Sequence, residues 1–226
     1  MVLGQGRQDP ELLPHSRGRQ VTARKTAARV QGISSAWLVL LPVVWGLVPT
    51  LSWATLPQIA PGDLGMTRPL EMFGTAVLAV SVAHMAWPLG DEAPWLSSVS
   101  ARGAARQRVG RFMALSGLCA VAAAVTGLVL VRAGVDLAHF VGVGLLLWAL
   151  AVAGAVTLGR RAAAILPVGL MLISSRAHLI PWDKNVVFNE MATGPLWALA
   201  VACLAGAGVA FAYWGEGIAR REVRSA

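Results

Sequence analysis

Acidic side chains are scarce in this sequence, and charged ones of either sign are few. Of 226 residues only 11 are Asp or Glu, charged residues make up 13%, and 56% are hydrophobic. Soluble globular domains carry roughly 25% charged residues, so a water-facing surface cannot be assembled from this chain. Cysteine is nearly absent: Cys119 and Cys203 both lie inside apolar runs. There a thiol acts as a small hydrophobe, and no disulfide framework, CxxC pair or zinc spacing can be drawn. GxSxG, HExxH and GxxxxGK[ST] are missing as well. With no recognised nucleophile and no nucleotide loop, neither catalytic activity of its own nor a cofactor is expected.

What the chain has is long apolar runs and a mean hydropathy of +0.63. The fold class read from them is all-α: one polytopic membrane domain, a six-transmembrane-helix bundle. The formal net charge of +8 is spread over short links and an N-terminal tail with little aromatic interleaving. It therefore reads as membrane topology, with the lipid bilayer as partner and no nucleic acid.

Residues 1–33 form a basic tail carrying Arg7, Arg17, Arg19, Arg24, Lys25 and Arg29. From Arg19 onward it reads either as an interfacial helix on an anionic membrane face or as a solvated, orienting tail. It is too long for a signal peptide, and the apolar run after it is long enough to span. The membrane domain is expected over residues 34–215, and residues 216–226 form a second tail.

The first span runs from about Ser35 to Leu56, with Pro42 and Pro49 seven residues apart on nearly one face and Gly46 about a turn from each. Each proline removes a backbone hydrogen bond, so Pro42, Gly46 and Pro49 read either as the lining of a pathway or as a static kink. The second, third and fourth spans are expected at Glu71–Pro88, Phe112–Val131 and Leu137–Leu158, and the sixth at Leu196–Trp214. Between the last two lies Ala162–Ser175, which provides only ~21 Å of helix. This fifth helix is either short and capped by irregular structure, or continues to Trp182 with Arg176 and His178 inside the bundle.

Residues 176–195 are too apolar for a free loop (Leu179, Ile180, Val187, Phe188) and too polar for lipid (Asp183, Lys184, Asn185, Glu190). The expectation is an ordered outer cap, two short helices broken at Pro181 and stopped near Gly194 and Pro195. Trp182 and Trp197 would sit at the headgroup level.

With six spans and an inside N-terminus, Arg102, Arg106, Arg108, Arg111, Arg160, Arg161, Arg220, Arg221 and Arg224 join the tail cations on one side. Only Arg68, Arg132, Arg176 and Lys184 fall on the other. The positive-inside rule then places both termini in the cytoplasm and the chain in the plasma membrane.

Small residues recur at four-residue spacing at Ser116, Ala120 and Ala124, and again at Ala198, Ala202, Gly206 and Ala210. They read as packing stripes within the chain or toward a second subunit. His84 and His139 fall at opposite ends of their spans and cannot share one iron. His139 and His178 share a side with Asp136, Asp183 and Glu190, but no ligand spacing supports a metal. Asp91 and Glu92 read as part of a solvated loop.

The link 91–111, DEAPWLSSVSARGAARQRVGR, puts Trp95, Leu96 and Val99 on one stripe ahead of a basic run, a suitable docking element for a soluble partner. A basic N-terminal stretch, six spans, this link and a broken fifth span with an amphipathic outer cap together resemble the permease subunits of type 2 ABC exporters, especially the compact actinobacterial ones. The resemblance covers the layout of nearly the whole chain. It implies a subunit that works as a homodimer or with a paired permease and is energised by a separate nucleotide-binding ATPase. Trp95, Leu96, Arg102 and Arg106 would then face that ATPase, with Trp182 and Phe188 in an outer re-entrant helical cap, and lipidic or amphiphilic cargo would be exported. A structural or redox-complex membrane subunit is the alternative class.

Overall fold

The computed structural model describes residues 34–52, 74–90, 101–175 and 179–215, whose regular structure is all helical, with no strand among them. Six α-helices follow in order among the described residues: α1 (Ser35–Leu51), α2 (Thr75–Met85), α3 (Ala101–Leu130), α4 (Leu137–Leu158), α5 (Ile165–Ser174) and α6 (Thr193–Trp214). Single 3₁₀ turns follow α2, α3 and α4 at Trp87–Leu89, Val131–Ala133 and Arg160–Ala162, and two more, at Trp182–Lys184 and Glu190–Ala192, precede α6.

Each boundary has a local cause. Ser34 caps α1, its hydroxyl accepting the Trp37 N–H at 3.1 Å, and Asp136 caps α4 by accepting the His139 N–H at 2.8 Å. Both satisfy donors that a helix start leaves bare. The turn after α3 closes at Gly134, whose φ of 84° costs a glycine nothing. There Val135 N–H reaches back to Leu130 O at 3.4 Å, the pattern that retires a helix's last carbonyls. Gly194 and Pro195, expected to stop a helix, instead lie in the first turn of α6. A proline is tolerated there because the first-turn N–H groups have no intrahelical acceptor.

Among the described residues three stretches are long and apolar enough to cross a membrane: Ala105–Leu130, Leu137–Leu158 and Glu190–Trp214. The other helices are shorter, with α1 at 17 residues, α2 at 11 and α5 at 10, or ~26, ~17 and ~15 Å. The outward surface is a field of aliphatics, among them Leu38, Val39 and Val43 of α1, Val121, Val125 and Leu128 of α3, and Val201 and Val209 of α6. That composition suits hydrocarbon rather than water.

α4 is the axis of the bundle. Of its apolar window 67% is buried inside the protein, against 33% for α3 and 22% for α6, and α2, α3, α5 and α6 all pack on it. Trp148, Leu147, Ala151 and Val152 are wholly buried. Close approach to α6 is made at Gly142, where an added Cβ would lie 3.0 Å from Leu196 Cδ2. α3 meets α6 at Gly208, where the Phe112 ring occupies the space a side chain would need.

The helix directions follow from these meetings. Ser116 bonds Trp148 and Gly127 abuts Phe140, so α3 and α4 are antiparallel. Phe112 meets Gly208 and Arg108 meets Gly215, so α3 and α6 are antiparallel too. α4 and α6 therefore run parallel, and α5, between them in sequence, packs on α2 and α4.

Candidate functional site

The bundle has two polar ends of different chemistry. At one, the arginine end, the start of α1, the ends of α2, α4 and α6 and the N-terminal part of α3 converge. Trp37 Nε1 donates to His84 O at 3.0 Å, and its ring stacks on that of His84, centroids 6.1 Å apart. Arg111 Nη1 donates to Pro88 O at 3.4 Å, while the Arg160 guanidinium lies 5.1 Å from the Trp87 ring centroid, a cation–π distance. Arg108 packs against Gly215, whose Cβ position would fall 3.1 Å from its Cζ.

At the opposite end, a cap of residues 179–192 is pinned onto the starts of α4 and α6. Asn185 is buried and anchors it. Its Nδ2 donates to Ser174 O, the end of α5, at 2.7 Å. Its Oδ1 accepts the N–H groups of Val187 and Phe188 at 3.2 and 3.3 Å. His139, buried in the first turn of α4, lies 2.8 Å through Nε2 from Val187 O and 3.2 Å through Nδ1 from Thr193 Oγ1. Thr193 Oγ1 donates to Glu190 O at 2.7 Å, and Trp197 Nε1 donates to Ala138 O at 3.1 Å. The described acidic residues, Asp136, Asp183 and Glu190, all belong to this end, whereas Arg106, Arg108, Arg111, Arg160 and Arg161 belong to the other.

The residues singled out from the sequence distribute unevenly over this frame. Pro42 and Gly46 are exposed and Pro49 is half-buried; a Cβ at Gly46 would meet nothing within 4 Å. Their face looks out of the bundle, while Trp37, Trp45 and Val48 turn inward. Phe188 is half-buried in the cap, and Trp182 sits in its first 3₁₀ turn. The cap is built of single turns rather than two short helices, because the Asn185 side chain takes the backbone donors that a helix would spend on itself.

Arg102 and Arg106 are on helix, not loop: α3 begins at Ala101, since arginine and alanine favour helix however little hydropathy they contribute. Trp95 and Leu96, the tails 1–33 and 216–226, and Arg176 and His178 lie outside the described residues.

Two further expectations narrow. On α6 the spaced small residues Ala198, Ala202 and Gly206 are exposed, so of the two readings of that stripe packing within the chain does not apply to them; the chain packs through Leu196, Ala200, Ala207 and Phe211. On α3, Ser116 is a hydrogen-bond acceptor for Trp148 Nε1 at 2.8 Å and not merely a small contact. His139 spends both ring nitrogens within the protein, and no group of three metal-ligating side chains occurs among the described residues. The cap network was not readable beforehand because its partners are 48 and 54 positions apart in sequence. Comparison with protein-family models, with curated proteins and with solved structures finds no match to this chain.

Proposed function

We propose that this protein is the permease subunit of an ATP-driven export system of the type 2 ABC kind, energised by a separate ATPase and handling lipidic or amphiphilic cargo. The observation that carries the reading is the position of the Pro42–Gly46 face. It points away from a bundle whose own centre, around Trp148, Leu147 and Val152, is filled. A path along α1 would therefore run between this chain and a second copy or a paired permease. In this reading the chain crosses the plasma membrane six times. α5 and the dipping cap together form the broken fifth crossing, the arginine end faces the cytoplasm with both termini, and the cap closes the outer mouth.

Three supports converge. The two ends differ in charge as the positive-inside rule requires. Arg106 is exposed on the long N-terminal extension of α3, accessible to a soluble partner. Phe188 belongs to a cap that is ordered by side-chain bonds rather than being a loose loop.

The test is purification of the tagged chain from its native membrane together with cysteine cross-linking at Gly46→Cys. Co-purification of a nucleotide-binding subunit and chain-to-chain cross-linking at position 46 are expected. Export should fall in Phe188→Ala and Trp182→Ala while assembly stays intact. Isolation of a complex containing haem or metal, with no ATPase, would replace this reading with that of a redox-complex subunit.

A further inference from the structure

At the arginine end, α3 and α6 leave their apolar zones at a common point. Arg108 lies three residues into the Ala105–Leu130 stretch, and Gly215 directly follows the Glu190–Trp214 stretch. The two residues touch: a Cβ on Gly215 would fall 3.1 Å from both Cζ and Nε of Arg108 and 3.3 Å from Nη2. Gly215 has φ 64° and ψ −154°, a conformation essentially confined to glycine. Its backbone and its missing side chain together make room for the guanidinium. Tyr213 and Trp214 beside it are exposed, and exposed Tyr and Trp at the end of a spanning helix mark headgroup depth.

Arg108 is half-buried, yet it makes no hydrogen bond or ion pair among the described residues, and its Nε is buried without a partner there. A charge partly withdrawn from water is ordinarily paired. None of the described carboxylates lies at this end, whereas Arg106 and Arg111 lie within one turn of Arg108 on α3. What completes the site is therefore an anion, and at this depth the bilayer itself supplies one.

We infer that Arg108 and Gly215 form the seat of an anionic phospholipid at the seam of α3 and α6. The guanidinium holds the lipid phosphate, its planar fork matching two phosphate oxygens at once. The acyl chains lie on the exposed aliphatic surface of the two helices, which is reached within two turns at Met113 and Val209. A headgroup of net negative charge is favoured over a zwitterionic one, because Arg106 and Arg111 repel a choline or ethanolamine cation. An acidic soluble protein fits this place less well, since the guanidinium is packed against Gly215 at the edge of two apolar stretches and does not project from the surface. The inference rests on α3 and α6 crossing a bilayer and does not depend on the transport reading.

The experiment is native mass spectrometry on the full, delipidated chain, titrated with phosphatidylglycerol and with phosphatidylcholine of the same acyl chains. The unmodified chain should bind phosphatidylglycerol about tenfold more tightly, the equivalent of one charge-assisted contact. Arg108→Met keeps the apolar stem and drops the charge. It should abolish that preference and leave phosphatidylcholine binding as it was, while the unfolding temperature in lipid-free detergent stays unchanged, because the head group has no protein partner to lose. Arg108→Lys, which keeps the charge without the fork, should fall between the two. Arg132→Gln, at the cap end, should change nothing. Millimolar glycerol 3-phosphate, which has the phosphate without the chains, should fail to displace the lipid. Equal retention of the two lipids by the unmodified chain, or full phosphatidylglycerol affinity in Arg108→Met, would overturn the assignment. Displacement by glycerol 3-phosphate would overturn it in favour of a soluble phosphate, and loss of a co-purifying acidic protein in Arg108→Met with lipid affinity intact would overturn it in favour of a protein partner.

Discussion

Two tryptophans offer a controlled measurement of what a single hydrogen bond contributes inside this bundle. Trp148 of α4 and Trp45 of α1 are both buried, at 0% and 5% exposure. Trp148 Nε1 donates to Ser116 Oγ at 2.8 Å, whereas Trp45 Nε1 has no hydrogen-bond partner among the described residues. Replacing either by Phe removes the same atoms, so both variants share a packing loss on the order of 1–2 kcal/mol. Trp148→Phe also gives up an interhelical hydrogen bond, about 0.6–1.7 kcal/mol in membrane proteins. It should therefore cost about 1 kcal/mol more than Trp45→Phe. Ser116→Ala is the sharper probe. The Ser116 hydroxyl left behind in Trp148→Phe can turn to a carbonyl of its own helix, but the indole N–H left by Ser116→Ala is buried without an acceptor, a loss of about 1–3 kcal/mol. If Ser116 were only a small residue allowing close approach, alanine would be neutral. Reversible unfolding in mixed micelles, or steric trapping, on both single variants and the double variant gives the coupling directly. A coupling below about 0.3 kcal/mol, or equal costs for the two tryptophans, would refute the hydrogen-bond account.

Asn185→Ala deletes one donor and two acceptances at a buried position, so the cap should lose about 2–3 kcal/mol of local stability and become cleavable by protease between residues 179 and 192 in the otherwise folded protein. Asn185→Asp keeps the two acceptances and loses only the bond to Ser174 O, and protease protection should fall between that of Ala and that of the unmodified chain. Gly154→Ala places a Cβ 3.1 Å from Ala163 O and 3.2 Å from its Cα. Backbone cannot swing aside as a side chain can, so about 1–3 kcal/mol should be lost on thermal unfolding. Gly117→Ala, where nothing lies within 4 Å, should be neutral or gain up to about 1 kcal/mol from helix propensity.

The parts of this fold that could be read in advance are those written in contiguous residues. α4 was legible to its ends because Asp136 and Gly159 punctuate an unbroken apolar run, and the observed bounds Leu137–Leu158 coincide with the expected ones. α3 was legible only in its apolar part, since hydropathy marks where lipid begins and says nothing of where a helix of Arg and Ala begins. The seven-residue spacing of Pro42 and Pro49 fixes that they share a face of α1, but which way that face turns depends on the neighbours that Trp37, Trp45 and Val48 find. For residues 176–195 the mixture of apolar and polar side chains announced ordered structure. Its form was hidden, because Asn185 and His139 act through partners brought together only when α4, α5 and α6 assemble.

The parallel course of α4 and α6 bears on how the chain is made. If α4 and α6 both cross a bilayer in this common direction, the segment between them has to cross back, and that return would be led by a helix of 10 residues, ~15 Å long. A run so short is a weak signal to the insertion machinery, which favours about 20 apolar residues. In such a threading the orientation of α6 would hang on a return segment shorter than a lipid-spanning helix. The Trp197–Ala138 bond and the Gly142–Leu196 contact exist only when α6 has the same direction as α4. A chain whose α6 ran the other way would lack both contacts and leave the α4 face at Gly142 uncovered.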